Sequence, residues 1–496
     1  MLRLDEVMEG LTHLTTGVLN ASTREITGIT CDSRRVEPGF VFAAIPGTQL
    51  DGRRFIPDAL ARGAVAVLGP PGTETGVDHP DVSVITDDDP RRLYALMAAR
   101  FFETQPKTIA AVTGTSGKTS TAHFLRQIWN QQGWPAAAMG TLGLKATDAG
   151  GEELVPGDGK ALTTPDAADL HRQLRQLVEL GVDHLVVEAS SHGLDQRRLD
   201  GVRVSAAAFT NLSHDHLDYH GDEGTYLQAK LRLFRYLLVD GGAAVVNADQ
   251  PYAETVVAAC RARGLPVLRF GENGDRLRLV SRRPRADGQD IVLDVDGARH
   301  EVPLQLVGGF QASNAMCALG MAMVTGASAD AAVGGLGAFR GAPGRMQLIG
   351  SNSVGASVYV DYAHKPDALR AALEALRPHT ENRLIVVFGC GGDRDRTKRP
   401  VMGGIAAACA DAIFITDDNP RSEEPSAIRN AIMSACPDAV EIRDRRAAIA
   451  AALDDAGAGD VVLVAGKGHE TGQIVGDQVL PFNDAAEIHR LIGVDA

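Results

Sequence analysis

The sequence predicts an α/β protein of three domains, with a parallel sheet in the middle of the chain. Short apolar runs rich in Val, Ile and Ala alternate with amphipathic stretches, a pattern typical of parallel strands covered by helices on both faces. The length of 496 residues suggests three domains at roughly 150 residues each. Glycine contributes 54 residues, above its usual share of roughly 7%, which indicates many tight turns between strands and helices. The runs predicted as buried strands are residues 109–112, 185–187, 243–246, 384–388, 412–415 and 461–464.

Two breaks in the pattern divide the chain. A helix predicted over residues 90–102 is followed by Thr104-Gln-Pro-Lys107, whose proline should end it. The stretch Arg340-Gly-Ala-Pro-Gly-Arg345 separates a helical region from a strand. We therefore expect a smaller N-terminal α/β domain over residues 1–103, a central domain over 104–340 and a C-terminal Rossmann-like domain over 341–496.

Charge and composition exclude several classes of protein. The net charge of −14 argues against a nucleic-acid partner, because phosphate-binding surfaces are usually basic. Apolar runs are too short to span a membrane, and the first ten residues lack the pattern of a secretory signal. The six cysteines form no CxxC pair, so neither a zinc ribbon nor a disulfide framework is indicated. A cytoplasmic protein with free thiols is expected.

Residues 109–120 read Ile-Ala-Ala-Val-Thr-Gly-Thr-Ser-Gly-Lys-Thr-Ser, a buried strand, a loop of small residues and the start of a helix. In such a loop, backbone N–H groups bind phosphate oxygens, the lysine supplies a positive charge and the following hydroxyl ligates Mg²⁺. The general pattern G-x-x-x-x-G-K-[ST] expects glycine where this chain has Val112, so the loop is a shorter variant. A plain glycine turn is the alternative. The predicted ATP-binding residues of this loop are Gly114, Thr115, Ser116, Gly117, Lys118, Thr119 and Ser120.

A second polar group lies between residues 188 and 230. Glu188 ends a predicted strand, a common position for ligand-binding side chains in α/β proteins, and is a candidate Mg²⁺ ligand. Residues 211–221 read Asn-Leu-Ser-His-Asp-His-Leu-Asp-Tyr-His-Gly, which nearly matches the HxHxDH pattern of zinc hydrolases. Tyr219 spoils that spacing, because it separates Asp218 from His220. A polar surface loop, and an ordinary surface lysine at Lys230, are further interpretations.

The loop Thr-Gly-Thr-Ser-Gly-Lys-Thr resembles the TGTxGKT loop of the Mur ligases, ATP-dependent enzymes that add amino acids to the peptidoglycan precursor, and that of the related folylpolyglutamate synthetases. Residues 211–221 are similar to the NLxxDHLDYHG segment of the same family. The resemblance implies that His216 binds magnesium beside Glu188 and Thr119, and that Lys230 is carbamylated by CO₂. A buried lysine of lowered pKa can react as the neutral amine, and its carbamate can hold a second Mg²⁺. The implied catalytic residues are Lys118, Glu188, His216 and Lys230.

Two turn-rich segments of the first domain, Cys31-Asp-Ser-Arg-Arg and Ile45-Pro-Gly-Thr-Gln-Leu-Asp-Gly-Arg-Arg, are by composition ordinary loops with solvated arginines. They resemble the uridine-nucleotide-binding segments of the family, with DSR and GxxxDGRxF both present. The resemblance implies that UDP-N-acetylmuramoyl-L-alanyl-D-glutamate binds here and in the central domain. The implied contacts are Cys31, Ser33, Thr48, Gln49, Leu50, Thr163, Thr164, Ser190, Gln196 and Arg198.

In the third domain, residues 388–400, 416–425 and 465–470 are loops that follow three predicted strands. Arginine binds carboxylates and an acidic residue pairs with ammonium, so loops carrying both suit a zwitterionic amino acid. Asp418-Asn-Pro-Arg421 resembles the DNPR motif of Mur ligases that select meso-diaminopimelate. The resemblance implies that Arg421 holds the distal carboxylate of that amino acid and Glu470 its distal ammonium. The implied diaminopimelate-binding residues are Arg394, Asp418, Asn419, Pro420, Arg421, Gly466 and Glu470.

Four more residues, Asn314, Arg345, Asp361 and His364, match segments with which the family closes on ATP. The resemblance implies an enzyme of peptidoglycan synthesis that joins diaminopimelate to the UDP-dipeptide through an acyl phosphate. We expect a monomer. A folylpolyglutamate synthetase would share the phosphate loop but lack the UDP segments and DNPR. A nucleotide-binding regulator without enzymatic activity would need neither Glu188 nor Lys230.

Overall fold

Three large β-sheets, each built from one part of the chain, organise the molecule. The computed structural model describes residues 2–19, 24–47, 50–76, 79, 81–155, 162–285 and 287–493. All six runs predicted as buried strands lie within strands, so the α/β fold class is confirmed. The three sheets fall within the three predicted domains, whose exact boundaries stay a prediction.

The N-terminal region has a five-stranded sheet in the order β2-β7-β6-β5-β4. Strands β4 to β7 are parallel, β2 runs antiparallel to β7, and β1 pairs separately with β3. The strands are β1 (Leu2–Arg3), β2 (Gly17–Leu19), β3 (Glu25–Ile26), β4 (Gly28–Thr30), β5 (Phe40–Ala43), β6 (Ala66–Gly69) and β7 (Ser83–Thr86). The helices are α1 (Leu4–Met8), α2 (Ile56–Ala61) and α3 (Pro90–Phe102). Helix α3 has the predicted bounds, because the Asp89 side chain caps it and Pro90 fits its first turn.

The central region has an eleven-stranded sheet in the order β11-β10-β9-β12-β8-β13-β14-β15-β16-β17-β18. Its strands are β8 (Thr108–Thr113), β9 (Ala136–Gly140), β10 (Gly143–Thr147), β11 (Glu153–Val155), β12 (His184–Glu188), β13 (Val204–Phe209), β14 (Leu238–Asn247), β15 (Val267–Gly271), β16 (Leu277–Arg285), β17 (Gly288–Val295) and β18 (Ala298–Leu304). Its helices are α4 (Lys118–Gln131), α5 (Ala167–Glu179), α6 (Ser191–Asp195), α7 (Leu217–His220), α8 (Glu223–Arg232), α9 (Ala253–Arg261), α10 (Gly309–Val324) and α11 (Ala329–Gly334).

Strands β9, β12, β8 and β13 to β16 form the parallel centre of this sheet, and successive residues of β8 point to opposite faces. Ile109 and Ala111 join the core on one face, whereas Ala110 and Val112 join the core under α4 and α10 on the other. The sheet is not parallel throughout, since β10 and β11 at one edge and β17 and β18 at the other are antiparallel. Polar residues interrupt the apolar residues of these edge strands, and short turns join them, so they lack the longer apolar runs of the buried parallel strands.

The C-terminal region has a six-stranded sheet in the order β19-β20-β24-β21-β22-β23, parallel except for β19. Its strands, with a separate hairpin of β25 and β26, are β19 (Gln347–Ser351), β20 (Ser357–Asp361), β21 (Leu384–Phe388), β22 (Ala412–Ile415), β23 (Val440–Glu441), β24 (Val461–Ala465), β25 (Gly472–Val475) and β26 (Gln478–Pro481). Its helices are α12 (Pro366–Leu376), α13 (Lys398–Cys409), α14 (Pro425–Met433), α15 (Arg445–Asp455) and α16 (Asp484–Ile492). Strands β24, β21 and β22 are neighbours, so the three loops that follow them meet at one edge of the sheet.

Among the described residues, no helix combines the length and the apolar character needed to cross a bilayer.

Candidate active site

The phosphate loop joins β8 to α4 through two glycines of positive φ. Gly114 has φ +153° and Gly117 has φ +87°, values that L side chains rarely adopt. A Cβ at Gly114 would overlap the hydroxyl of Thr210, and one at Gly117 would overlap the amide oxygen of Asn314. Glycine is therefore required at both positions by conformation and by space.

Asn211, which follows β13, holds the phosphate loop in place. Its Oδ1 accepts from the Ser116 N–H at 2.9 Å, and its Nδ2 donates to the Ser116 carbonyl at 3.1 Å. The Thr115 N–H donates to the Asn211 carbonyl at 2.9 Å, and the Thr115 hydroxyl lies 3.1 Å from that of Tyr226. The loop is thus shaped before any ligand binds, which lowers the cost of binding phosphate.

Two lysines converge on the carbonyl oxygen of Gly114. Lys118 Nζ donates to it and to the Thr115 carbonyl, each at 2.8 Å. Lys230 Nζ donates to the same Gly114 oxygen at 2.8 Å and lies 4.3 Å from the centre of the Tyr226 ring. Burial lowers the pKa of Lys118, and burial together with the charge of Lys118 lowers the pKa of Lys230 well below its ordinary value. Lys230 is therefore no surface lysine: its exposed fraction is 1%.

Glu188 lies at the carboxyl end of β12, buried next to the phosphate loop. The Thr119 hydroxyl donates to its Oε2 at 2.9 Å, and Thr141 donates from its N–H to Oε1 at 2.9 Å and from its hydroxyl to Oε2 at 3.2 Å. A Cβ at Gly140 would overlap the carboxylate. A carboxylate and a hydroxyl side by side are ligands that Mg²⁺ prefers, so the residues present fit a magnesium ion that is completed by substrate oxygens.

His216 reaches this region from the segment after β13. It has φ +54° and precedes α7, and its Nε2 lies 3.5 Å from Asp215 Oδ2. Burial lowers its pKa to about 4, so the ring is neutral near pH 7, the form that can bind a metal. No group of three or more His, Cys, Asp or Glu side chains in the described ranges is arranged to hold a metal by itself.

The five central residues assigned to the UDP-dipeptide form one connected group beside Glu188. Thr164 donates to the Glu188 carbonyl at 2.7 Å, and its hydroxyl lies 3.0 Å from that of Ser190. Arg198 donates to the Thr164 carbonyl at 2.8 Å and to Gln196 Oε1 at 2.7 Å. The fifth residue, Thr163, lies with its hydroxyl 3.2 Å from that of Thr141.

The first domain meets this group through Asp166. The Cys31 thiol donates to Asp166 Oδ2 at 3.2 Å, and the Tyr94 hydroxyl donates to Oδ1 at 2.6 Å. Ser33 is buried, whereas the side chain of Leu50 is exposed. Thr48 and Gln49 lie outside the described residues.

A cleft of about 1130 Å³ separates the central and C-terminal sheets. Thr115, Ser116 and the segment from Ser213 to Asp218 line it on the central side. Loops of the C-terminal sheet line the opposite side, and Lys365 Nζ crosses the cleft to Asp215 Oδ1 at 2.6 Å. The lining residues predicted from the sequence are Thr115, Ser116, His216, His364, Arg394, Asp418, Asn419, Arg421, Gly466 and Glu470.

The loop after β22 is the centre of the C-terminal side. Asp418 and Asn419 are buried, and Asn419 Nδ2 donates to Glu470 Oε2 at 2.9 Å. Arg421 has φ +52°, and its Nη1 donates to the Gly392 carbonyl at 2.8 Å. The buried Pro420 links these residues, and Gly466, with φ +114°, passes close to the Asp418 carboxylate. Arg394 is exposed and donates to the carbonyl of Asp393.

The residues assigned to ATP outside the phosphate loop lie where the two domains meet. Asn314 Nδ2 donates to Gln311 Oε1 at 3.1 Å, and Gln311 Nε2 donates to the Arg345 carbonyl at 3.2 Å. The Arg345 guanidinium lies 4.6 Å from the centre of the Tyr362 ring. Asp361 Oδ2 accepts from the Met346 N–H at 2.7 Å, and burial raises the pKa of Asp361 to about 6. Burial lowers the pKa of His364 to about 4.

Three family models match the chain in order. They describe the Mur ligase family catalytic domain at residues 25–102, the Mur ligase middle domain at 112–322 and the Mur ligase glutamate ligase domain at 344–468. The protein named UDP-N-acetylmuramoyl-L-alanyl-D-glutamate--2,6-diaminopimelate ligase in Caulobacter vibrioides is 51% identical over 95% of this chain and 96% of its own. The chain belongs to the Mur ligase family.

Two further relatives support this assignment. The protein of the same name in Bradyrhizobium diazoefficiens is 52% identical to this Mur ligase over 93% of each chain. A solved structure of a ligase of that name aligns with a TM-score of 0.71, at 34% identity and over 96% of both chains.

Sequence reasoning missed three contacts in this Mur ligase. Asn211 and Lys467 belong to the motifs that resemble those of the family, but the motifs do not show which residues their side chains contact. Thr141 follows β9, and its position directly after a strand of the same sheet as Glu188 was the available signal.

Proposed function

We propose that this Mur ligase adds meso-2,6-diaminopimelate to UDP-N-acetylmuramoyl-L-alanyl-D-glutamate and converts ATP to ADP and phosphate. The name shared by relatives about half identical over nearly the whole chain supports the pair of substrates. We also propose that it acts as a cytoplasmic monomer in peptidoglycan synthesis.

The observation that carries the proposal is a cleft lined by both the phosphate loop and the Asp418–Arg421 loop. A ligase must bring a phosphorylated acid and an amine together, because the reaction needs both at one point. Thr115 and Ser116 line one wall, while Arg421 and Glu470 line the other. An acyl phosphate formed at the first wall would lie within reach of an amino acid held at the second.

In the first step, an oxygen of the glutamate side-chain carboxylate attacks the γ-phosphorus of ATP, and ADP leaves. We assign the phosphates to the N–H groups of the loop 114–120 and to Lys118. The amine of Lys118 is already directed at the loop by its bonds to two carbonyls. Preorganised charge of this kind stabilises the transferring phosphoryl group.

In the second step, the amine of diaminopimelate attacks the acyl carbon, phosphate leaves, and the amine loses a proton as the amide forms. We assign the distal carboxylate to Arg421 and the distal ammonium to Glu470, with Arg394, Asp418, Asn419, Pro420 and Gly466 shaping the pocket. Lysine lacks that distal carboxylate, so Arg421 would distinguish the two amino acids.

We assign Mg²⁺ to Thr119, Glu188 and His216. When bound, it supplies positive charge to the phosphate oxygens. We further propose that Lys230 carries a carbamate that holds a second Mg²⁺. The burial of Lys230 and its lowered pKa support this, because the neutral amine is the form that reacts with CO₂.

We assign the remaining residues as the resemblance to the family implies. ATP would also contact Asn314, Arg345, Asp361 and His364, which lie between the phosphate loop and the C-terminal sheet. The UDP-dipeptide would contact Cys31, Ser33, Thr48, Gln49 and Leu50 in the first domain. In the central domain it would contact the group formed by Thr163, Thr164, Ser190, Gln196 and Arg198.

Phosphate release across a matrix of acceptors and amino acids tests the function. We expect release to require ATP, the UDP-dipeptide and meso-diaminopimelate together, with mass spectrometry showing the UDP-tripeptide. Equal release with lysine in place of diaminopimelate would contradict the specificity. Release with a folate acceptor instead of the UDP-dipeptide would favour a folylpolyglutamate synthetase.

A further inference from the structure

The loop after β24 contains a lysine to which the motifs assign no role. Lys467 stands between Gly466 and Gly468, which have φ +114° and +54°, and the Glu470 N–H donates to the Lys467 carbonyl at 3.0 Å. This tight turn brings the side chains of Lys467 and Glu470 to the same side. The Lys467 side chain is completely buried, which is rare for lysine unless its charge is paired.

The partners of Lys467 are the residues assigned to diaminopimelate. Its Nζ donates to Glu470 Oε2 at 3.0 Å and to Asn419 Oδ1 at 3.0 Å, and it lies 3.8 Å from Asp418 Oδ1. Asn419 Nδ2 also donates to Glu470 Oε2, at 2.9 Å. One oxygen of Glu470 therefore accepts two hydrogen bonds from inside the protein.

The other carboxylate oxygen of Glu470, Oε1, takes no part in these hydrogen bonds. Both hydrogen bonds go to Oε2, Oε1 accepts none from the described part of the chain, and Glu470 lines the cleft with its side chain 31% exposed. A carboxylate held by one oxygen and open at the other has a fixed direction, which suits recognition of a cation.

We propose that Lys467 is the positioning residue that sets amine specificity in this pocket. It holds Glu470 by Oε2, so that Oε1 faces the distal ammonium of the amino-acid substrate. This inference rests on the proposed function, because it concerns the site where diaminopimelate would bind. Lys467 itself does not contact the substrate, since its amine lies behind Asn419 and Glu470.

Charge gives Lys467 a second effect on the same carboxylate. Glu470 and Asp418 both approach its amine, at 3.0 Å and 3.8 Å, and two carboxylates brought together out of water repel each other. The cation beside them offsets this repulsion and holds Glu470 in place. An apolar side chain at position 467 would remove the hydrogen bond to Oε2 and let Glu470 rotate, which would remove the contact with the ammonium.

The test compares meso-diaminopimelate with 2-aminopimelate, which keeps both carboxylates and lacks the distal amino group. For Lys467→Met, we expect kcat/KM for diaminopimelate to fall at least about tenfold, chiefly through KM, as for the loss of one charged contact. We expect the value for 2-aminopimelate to change less than about twofold, so the preference for the distal amine is lost. An equal fall for both amino acids would show a merely structural lysine and overturn the proposal, as would no fall for either.

A double-mutant cycle keeps the test independent of folding. In a Glu470→Gln background, Lys467→Met should lower kcat/KM for diaminopimelate by less than about a further threefold, because the two residues act through one contact. Independent losses would overturn the assignment. The KM for ATP should stay unchanged in every variant, and Lys107→Met, at an exposed lysine of the central domain, is the matched control. Wild-type enzyme that forms no UDP-tripeptide would refute the proposed function; wild-type activity with unaltered variant selectivity would refute only the role of Lys467.

Discussion

The two walls of the cleft differ in whether their cationic side chains are paired with carboxylates. On the nucleotide side, Lys118 and Lys230 both donate to carbonyl oxygens, and no carboxylate among the described residues lies within 4.0 Å of either amine. On the amino-acid side, buried cations are paired: Lys467 with Glu470, and Arg445 with Asp484 at 2.7 Å.

This contrast separates the two kinds of ligand. A wall whose amines have no carboxylate partner gains most from a polyanion such as a triphosphate, because an anion offsets the cost of an unpaired charge. The opposite wall, whose fully buried cations already have carboxylate partners, can bind a zwitterion through directed contacts with side chains such as Arg421 and Glu470. The charge pattern of each wall therefore matches the ligand proposed for it.

The largest expected effect comes from removing a cation of the nucleotide wall. Lys118→Met should lower kcat about a thousandfold, because the phosphoryl group loses a preorganised charge in the transition state. Phosphate release under saturating substrates measures it. The exposed Lys107, whose side chain is 80% accessible, provides the control Lys107→Met, which should retain wild-type rates. A loss below tenfold in Lys118→Met would contradict the role of the nucleotide wall.

On the amino-acid wall, Arg421→Ala should lower kcat/KM for diaminopimelate about a hundredfold, as expected for a lost charge-assisted contact of about 1.5 to 3 kcal/mol. The KM for ATP should change little, since the two ligands bind on opposite walls. Initial rates with each substrate varied in turn measure both values. Arg443→Ala, at an arginine with a side chain 77% exposed, is the control. An equal loss of ATP affinity would contradict the assignment of the two ligands to opposite walls.

The smallest expected effect is on stability and its pH dependence. Burial holds the pKa of Lys230 below its ordinary value of 10.5 in the folded protein, so the unfolded chain binds more protons between the two values. The contribution of Lys230 to the free energy of unfolding therefore rises with pH up to about 10.5.

Lys230→Met should stabilise the nucleotide-free protein at pH 7 by about 1 kcal/mol, since it removes an unpaired buried cation. This gain should shrink as the pH rises towards 10. Melting curves from pH 7 to 10, in buffer freed of CO₂, measure the difference. A gain that grows with pH would contradict the sign of the pKa shift, and Lys107→Met should show no such trend.

The sequence was sufficient to predict a structural element where the residues that determine that element lie in one short segment. The phosphate loop could be predicted because strand, glycines, lysine and helix follow each other within residues 109–120. Helix α3 could be predicted to the residue, because Asp89 and Pro90 mark its start and the proline at 106 lies just beyond its end. The buried parallel strands could be predicted because burial on both faces demands continuous apolar runs. The antiparallel edge strands could not, since their mixture of polar and apolar residues also occurs in exposed segments.

The sequence by itself determined the fold class, the phosphate loop and the motifs that identify the family. Only the tertiary structure decided which side chains meet. Lys230 reaches the carbonyl of Gly114 across 116 positions of the chain, Thr141 reaches Glu188 across 47, and Lys467 reaches Asn419 across 48. Periodicity and turn residues report on neighbours along the chain. Contacts across the site depend instead on how parallel strands are ordered in their sheets, because that order sets which strand ends share an edge.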